Sequence, residues 1–393
     1  MMLPNGWKKV KLGDILTAVD YGTAAKSDAI GKYPVLRMGN LENGYLVWDD
    51  LVYSSSEEEY AKYELKKGDI LFNRTNSRDK VGKTSIYRGE RPSIFAGYLI
   101  RLKVNNECDP YYVNYCMNSK RFAEFCKSVR TDAIGQSNIN AQVLQTYDFS
   151  LPPIEEQKKI AATLSVWDSA IEKMEKLIEA LEERYQSYVN EFFFENQNDK
   201  QKLKMGDIFA VRNDRSVATE DMPLYSLTIE NGITAKTDRY DRGALVKDKD
   251  SKKYKIVCDG DIVYNPANLR WGAIGQSKVG HSVVVSPIYE VLYTRDNSND
   301  SRYLSHYIMS KKMIAFYSSK TEGTLIERKE VKIDQFLRID LYVERDPARQ
   351  KMVADVLDML KEEISNLKQQ LEGYKMQKQG LMQKLLTGQW RVK

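Results

Sequence analysis

Large apolar residues recur at alternating spacings of four and three from Ile160 to Phe192, falling at Ile160, Leu164, Trp167, Ile171, Met174, Ile178, Leu181, Tyr185, Tyr188 and Phe192. An alternation without a slip predicts one long helix carrying a coiled-coil seam rather than a merely amphipathic face. The positions between are charged (Glu172, Lys173, Glu175, Lys176, Glu182, Glu183, Arg184), as a solvated helix surface should be. Such a run would span roughly 50 Å at 1.5 Å per residue. Adding 193 to each number gives Val353, Leu357, Leu360, Ile364, Leu367, Leu371, Tyr374, Lys378, Leu381 and Leu385. Only Lys378 interrupts the second stripe. The chain therefore carries the same element twice, about half of its 393 residues apart.

The repeat extends beyond the helices. Gly13-Asp14-Ile15 returns as Gly206-Asp207-Ile208, Gln157-Lys158-Lys159 as Gln350-Lys351-Met352, and Gly68-Asp69-Ile70-Leu71-Phe72 as Gly260-Asp261-Ile262-Val263-Tyr264. Short β-type segments precede each helix. In the first half they are Tyr33–Arg37, Asp69–Phe72, Thr84–Tyr87 and Tyr98–Leu102, with turn signals at Gly39-Asn40, Asn43-Gly44, Lys67-Gly68-Asp69 and Arg88-Gly89. One helix is expected after Asp109-Pro110, carrying Tyr112, Tyr115, Cys116 and Phe122, and its counterpart from Ser301 to Tyr317. Leu151-Pro152-Pro153 closes an extended segment, and Glu155-Glu156 place negative charge where the dipole of the next helix favours it.

These elements predict an α+β fold with two similar mixed α/β globular domains in a pseudo-two-fold arrangement. The domains would be separated by two long antiparallel helices forming an intramolecular coiled coil. The expected boundaries are a globule over 1–153, a helix over 154–195, a second globule over 196–346 and a second helix over 347–393. Glu195 to Lys200 reads as a polar linker.

Composition narrows the class. A net charge of +5 is mild and by itself decides nothing about nucleic acid. No apolar run approaches the ~18 residues that cross a bilayer, and the first residues lack the apolar core of a signal peptide. Cys108, Cys116, Cys126 and Cys258 have neither disulfide-framework nor zinc spacing, and His281 and His306 lie far from them in sequence. Structural cysteines in a reducing cytoplasm are expected.

Catalytic patterns are poorly represented. There is no phosphate-cradling G-x-x-x-x-G-K-[ST] loop. Asn265-Pro266-Ala267-Asn268 lacks the second proline and the aromatic of an adenine methyltransferase loop, and no Pro-Asp pair accompanies acid-x-Lys triplets such as Glu330-Val331-Lys332.

Binding patterns are better represented. Directly after the Asp69–Phe72 strand come Asn73, Arg74, Thr75, Asn76, Ser77, Arg78, Lys80 and Lys83. Asn and Arg can contact adenine and guanine edges, while Lys, Ser and Thr suit phosphate. The matching place in the second half holds Asn265, Asn268, Arg270 and Trp271. A second pair of loops carries Gln136, Ser137 and Asn138 in one half and Thr324, Arg328 and Lys329 in the other. Taken singly these residues read equally as polar surface loops of a hairpin, but their recurrence at matching places in both halves makes them the expected DNA contacts. The run Lys247, Lys249, Lys252, Lys253 and Lys255, interleaved with Asp248 and Asp250, reads as a solvated or phosphate-facing surface. Tyr185, Tyr188 and Phe192 to Phe194 suit either intramolecular burial or a protein-binding surface.

With the repeat, the Leu151-Pro152-Pro153-Ile154-Glu155-Glu156-Gln157-Lys158-Lys159-Ile160 entry and the Leu381-Met382-Gln383-Lys384-Leu385-Leu386-Thr387-Gly388 ending, the chain resembles a DNA specificity (S) subunit of a type I restriction-modification system. Tyr342-Val343-Glu344-Arg345-Asp346-Pro347 departs from the proline-pair entry in the second copy. The resemblance implies two target recognition domains, each reading half of a split double-stranded DNA site. It implies two helices that set the spacing and dock two methyltransferase (M) subunits, with restriction (R) subunits as further partners. S-adenosylmethionine, ATP and Mg²⁺ would belong to those partners, no metal or cofactor to this chain, and the chain itself would be non-catalytic. Two alternatives remain open at this stage: a methylation-only or type IIB-like specificity subunit, and a coiled-coil scaffold that binds protein.

Overall fold

The computed structural model describes residues 3–78, 80–133, 135–235, 253–320 and 330–392. The chain divides into two compact units, Met1–Glu175 with Gln369–Lys393 and Lys176–Lys368. Each contains one globule and one end of each long helix. The helices run Ile154–Phe194 and Pro347–Leu386.

In the first unit the central sheet is antiparallel, in the order Leu16–Tyr21, Leu99–Val104, Ile70–Asn73, Thr84–Ile86. The second unit repeats that order with Phe209–Val211, Glu290–Thr294, Ile262–Tyr264 and Ile274–Gln276. A two-stranded ribbon accompanies each sheet, Lys8–Lys11 with Asp148–Leu151 and Gln201–Lys204 with Asp340–Val343. The repeated Gly-Asp-Ile triplets have one function: Lys11 N–H donates to Asp14 Oδ2 at 2.9 Å, and Lys204 N–H to Asp207 Oδ2 at 3.0 Å. The first unit adds a three-stranded sheet (Ile94–Phe95, Tyr33–Leu36, Val52–Ser54), the second a five-stranded one that includes Tyr254–Val257 and Val283–Val285.

The helices expected after Asp109 and Asp300 are each broken once. Pro110–Cys116 is followed by Lys120–Val129, and Ser301–Ile308 by Lys311–Ser319. The breaks have a local cause. Ser119 accepts from Phe122 N–H and Ser310 from Met313 N–H, so each serine caps a new helix. Phe122 consequently lies on the second helix of its pair.

Each globule's core runs on into the long helices. Phe72, Ile100, Tyr112 and Phe122 pack with Ile160, Leu164 and Leu385 in one unit. Tyr264, Leu292, Tyr303 and Phe336 pack with Val189, Phe193, Val353 and Leu357 in the other. Burying such side chains stabilises by roughly 1.5–3 kcal/mol each. Within each unit the helices run antiparallel: in the first Asp168 pairs with Lys378 and Glu175 with Lys375 (2.9 Å), and in the second Glu182 pairs with Lys368 (2.6 Å) while Lys361 lies at the Tyr185 ring. The seam drifts toward its end: Val189 and Phe193 are buried there, while Tyr188 and Phe192 are only partly so. A straight helix gains about 20° per heptad on a 3.5-residue repeat. Those last turns face the globule, with the Phe193 ring 4.9 Å from Tyr303 and 4.8 Å from Tyr307.

A buried glutamine fixes each globule to its helix. Gln157 Oε1 accepts from Asp109 N–H at 2.8 Å, and its Nε2 donates to Pro152 O at 2.8 Å and Glu107 O at 3.0 Å. Gln350 repeats the set: Oε1 accepts from Asp300 N–H at 2.8 Å, and Nε2 donates to Glu344 O at 2.7 Å and Asn299 Oδ1 at 2.9 Å. The amide suits this task because one side chain must both accept and donate twice.

Candidate nucleic-acid interface

In the first unit, the buried strand Ile70–Asn73 ends in a loop that its own backbone closes. Asn73 N–H donates to Lys83 O at 2.8 Å and Gly82 N–H to Asn73 O at 2.9 Å. Gly82 has φ +93°, and a Cβ there would lie 2.9 Å from Cys126 Sγ, so glycine is required twice over. Asn73 is fully buried and its Nδ2 donates to Lys80 O at 3.2 Å. Its place in the structure is that of a loop stitch, not the exposed DNA contact expected from sequence.

The two stretches singled out in this half are joined in one small sheet. Thr75–Asn76 pairs with Gln136–Asn138, which pairs with Thr131–Ala133. Asn76 stands opposite Ser137 and Thr75 opposite Asn138, and Ile139 N–H donates to Arg74 O at 2.9 Å. Ser137 is fully buried, so it too is withdrawn from the surface; its hydroxyl donates to Asp132 Oδ1 at 2.5 Å. Arg78 Nε donates to Asp132 Oδ2 at 2.8 Å. The Ser137 hydroxyl, and after it the Arg78 guanidinium, hold the Asp132 carboxyl below the usual carboxylate range. Asn76 Oδ1 accepts from Ser77 N–H, and Lys83 is paired with Glu42. Ser77, Arg78, Lys80 and Gln136 are exposed; Arg74, Thr75, Asn76, Lys83 and Asn138 are half-buried.

Sequence reasoning missed Tyr21 and Asp132 at this place. The Arg74 guanidinium lies 4.9 Å from the Tyr21 ring centre. Both arrive by pairing between distant strands, which leaves no local signal.

The second unit builds the corresponding loop from different residues. Asn265 N–H donates to Ala273 O at 2.9 Å, Gly272 has φ +92°, and Val331 N–H donates to Pro266 O at 3.0 Å. These match Asn73, Gly82 and the Ile139–Arg74 tether. Asn265 Oδ1 accepts from Ala267 N–H at 3.1 Å, forming the turn. Asn268 and Arg270 are half-buried, and Leu269 is buried beneath them. Trp271 is 57% exposed, with the Arg270 guanidinium 4.1 Å from its ring. Thr324, Arg328 and Lys329 lie outside the described residues, as do Lys247, Lys249 and Lys252. Lys255 is buried against Glu290 Oε2 at 2.6 Å, which corrects its reading as part of a solvated run.

Among the described residues no group of three or more His, Cys, Asp or Glu side chains could hold a metal ion. Burial pushes the Cys116 and Cys126 thiols up to about 12, the opposite of what a nucleophilic cysteine requires. No helix among the described residues is long and apolar enough to cross a membrane.

Residues 4–183 match the family described as Type I restriction modification DNA specificity domain. A Methanocaldococcus jannaschii chain named as the type I restriction enzyme MjaX specificity subunit is 33% identical over 221 residues, spanning 55% of this chain and 52% of that one, about half its length. The type I restriction enzyme MjaVIII specificity subunit of the same organism is 23% identical over 100% of this chain and 95% of its own. In fold, the chain is similar to the type I restriction-modification S subunit from M. genitalium, with a TM-score of 0.64, 15% identity and 98% of each chain covered. Residues 4–183 thus match a type I restriction-modification DNA specificity domain, and over its whole length the chain is similar to type I specificity subunits.

Proposed function

We propose that this chain reads a bipartite double-stranded DNA site, the globule of each unit contacting one half. The long helices fix the separation of the halves and dock two methyltransferase subunits, with restriction subunits joining the complex. One observation carries the reading. Two loops on the same framework, closed by Asn73 and Gly82 in one unit and by Asn265 and Gly272 in the other, present unlike chemistry. The first presents Arg, Lys, Thr and Asn, while the second presents Trp271 beside Arg270. A shared frame with different tips suits two readers of different sequences, because base edges are distinguished by donor and acceptor pattern and by apolar contact. S-adenosylmethionine, ATP and Mg²⁺ belong, on this reading, to the partner subunits, and this chain contributes recognition without catalysis.

The test is co-expression with the cognate methyltransferase subunit, followed by sequencing of genomic DNA for methyladenine. A split motif with a fixed gap is the expected result. A contiguous motif, or none despite a stable complex, would overturn the reading.

A further inference from the structure

The segment from Arg74 to Lys83 holds four cations among the described residues, and the structure treats them differently. Arg78 is held by Asp132 and Lys83 by Glu42, so both charges are already met by carboxylates. Lys80 is exposed. Arg74 makes no ion pair among the described residues and is instead held by uncharged groups. Its guanidinium lies 4.9 Å from the Tyr21 ring centre, and its Nε donates to Asn138 Oδ1 at 3.5 Å. That oxygen is itself fixed by the Thr75 hydroxyl at 3.4 Å.

Arg74 and Thr75 line an open basin of about 460 Å³, shared with Arg37, Ser27 and Tyr98. A guanidinium with Nε engaged and a ring beside it keeps its two terminal NH₂ groups as an oriented fork that only donates. The complement of that fork is a pair of adjacent acceptors. Guanine offers O6 and N7 in the major groove, and no other base offers two acceptors on that edge. Phosphate also offers two oxygens, but gripping a backbone needs charge more than orientation. The exposed Lys80 suits that purpose, whereas Arg74 is half-buried at the basin and meets only a group that enters it.

We propose that Arg74 is the residue of the first unit that reads a guanine, through a fork held by Tyr21 and Asn138. The inference rests on the DNA-reading function proposed above.

The test is selection of duplexes from a randomised library by the full-length chain, with the bound fraction sequenced for wild type, Arg74→Ala and Arg74→Lys. In wild type one half of the motif contains a guanine. Arg74→Ala should reduce the preference for that guanine roughly five- to hundred-fold while the other positions stay unchanged. Arg74→Lys, which keeps the charge but not the fork, should lose the same preference with less loss of total affinity. On the DNA side, 7-deazaguanine at that position should weaken wild-type binding and leave Arg74→Ala binding unaffected. A uniform loss across the library with a shallower salt dependence would mark a phosphate contact and overturn the proposal, as would an unchanged motif. A wild-type chain that selects no motif would remove the proposed function itself, and this inference with it.

Discussion

Lys378 donates to Asp168 at the one point where the apolar stripe of the second long helix is broken. Asp168 is buried, and it also accepts the Tyr115 hydroxyl at 2.5 Å. Shifting these residues by the repeat distance (193 for the helix positions, 191 for the Asp109–Asp300 helix) gives Lys361, Tyr185 and His306. They also meet one another: Tyr185 Oη lies 2.9 Å from His306 Nδ1, and Lys361 lies 5.4 Å from the Tyr185 ring centre. Both units therefore seat a polar cluster at the same place, with its chemistry redistributed. Removing only Lys378 leaves Asp168 as an uncompensated buried charge. Lys378→Leu should destabilise by roughly 2–4 kcal/mol in urea unfolding followed by a first-unit probe. Asp168→Leu with Lys378→Leu should recover most of that, less about 1 kcal/mol for the Tyr115 hydroxyl left without its acceptor. A double variant as unstable as the single one would contradict an ionic role.

Gln157 and Gln350 should behave alike. Replacing either by leucine leaves one backbone N–H and two acceptor oxygens without their partner. At about 1–3 kcal/mol for each unsatisfied buried group, relieved in part by water, roughly 3 kcal/mol is expected at each site. Hydrogen exchange would localise the effect. Asp109 N–H should lose protection in Gln157→Leu only, and Asp300 N–H in Gln350→Leu only. Loss of both amides' protection in either variant would show that the contact is not local.

The second unit should weaken in mild acid through His306. Burial, with the Lys361 charge beside it, pushes this imidazole down to about 4 from its ordinary 6.5, against the opposing pull of Asp358. A base with a depressed folded pKa binds protons more readily when unfolded. Its contribution is complete above pH 6.5 and is lost as pH falls from there toward 4. The loss reaches up to about 3 kcal/mol at 1.36 kcal/mol per unit. Tyr185, Asp358, Lys361, Lys278 and Arg302 surround it, and the Asp358 carboxyl, against the opposing effect of its burial, is held below its ordinary range by Lys278 and by His306 itself. His306→Gln should flatten the pH dependence of second-unit unfolding between pH 4 and 6.5. An unchanged slope would assign it elsewhere.

What the sequence made legible follows from how locally each feature is encoded. The long helices could be read because one side chain in three or four must be apolar, and that period survives without knowledge of the partner. The helix breaks at Ser119 and Ser310 were also legible in principle, since a serine three residues before a new buried turn is a cap signal. The small sheet of Thr75–Asn76 and Gln136–Asn138 was not, because its strands are polar and their pairing spans some sixty residues. For the same reason Asn73 and Ser137 looked like surface groups. Only tertiary placement reveals that one stitches a loop and the other holds Asp132. Lys378 looked like a flaw for want of Asp168.

The proposed division of labour between helices and loops can be tested by lengthening the helices alone. Within their units, Glu175 pairs with Lys375 and Glu182 with Lys368, so an insertion in one helix must be matched in the other. Seven residues added between Glu175 and Glu182, with seven between Lys368 and Lys375, shift the helical phase by only about 20° and so preserve the seam. Each insertion adds roughly 10 Å at 1.5 Å per residue. In the methyladenine assay the gap of the motif should change while both half-sites keep their bases. Exchanging residues 266–271 should do the reverse, altering one half-site at a constant gap. If lengthening the helices rewrote a half-site, or the loop exchange moved the gap, recognition and spacing would not be separable in this chain.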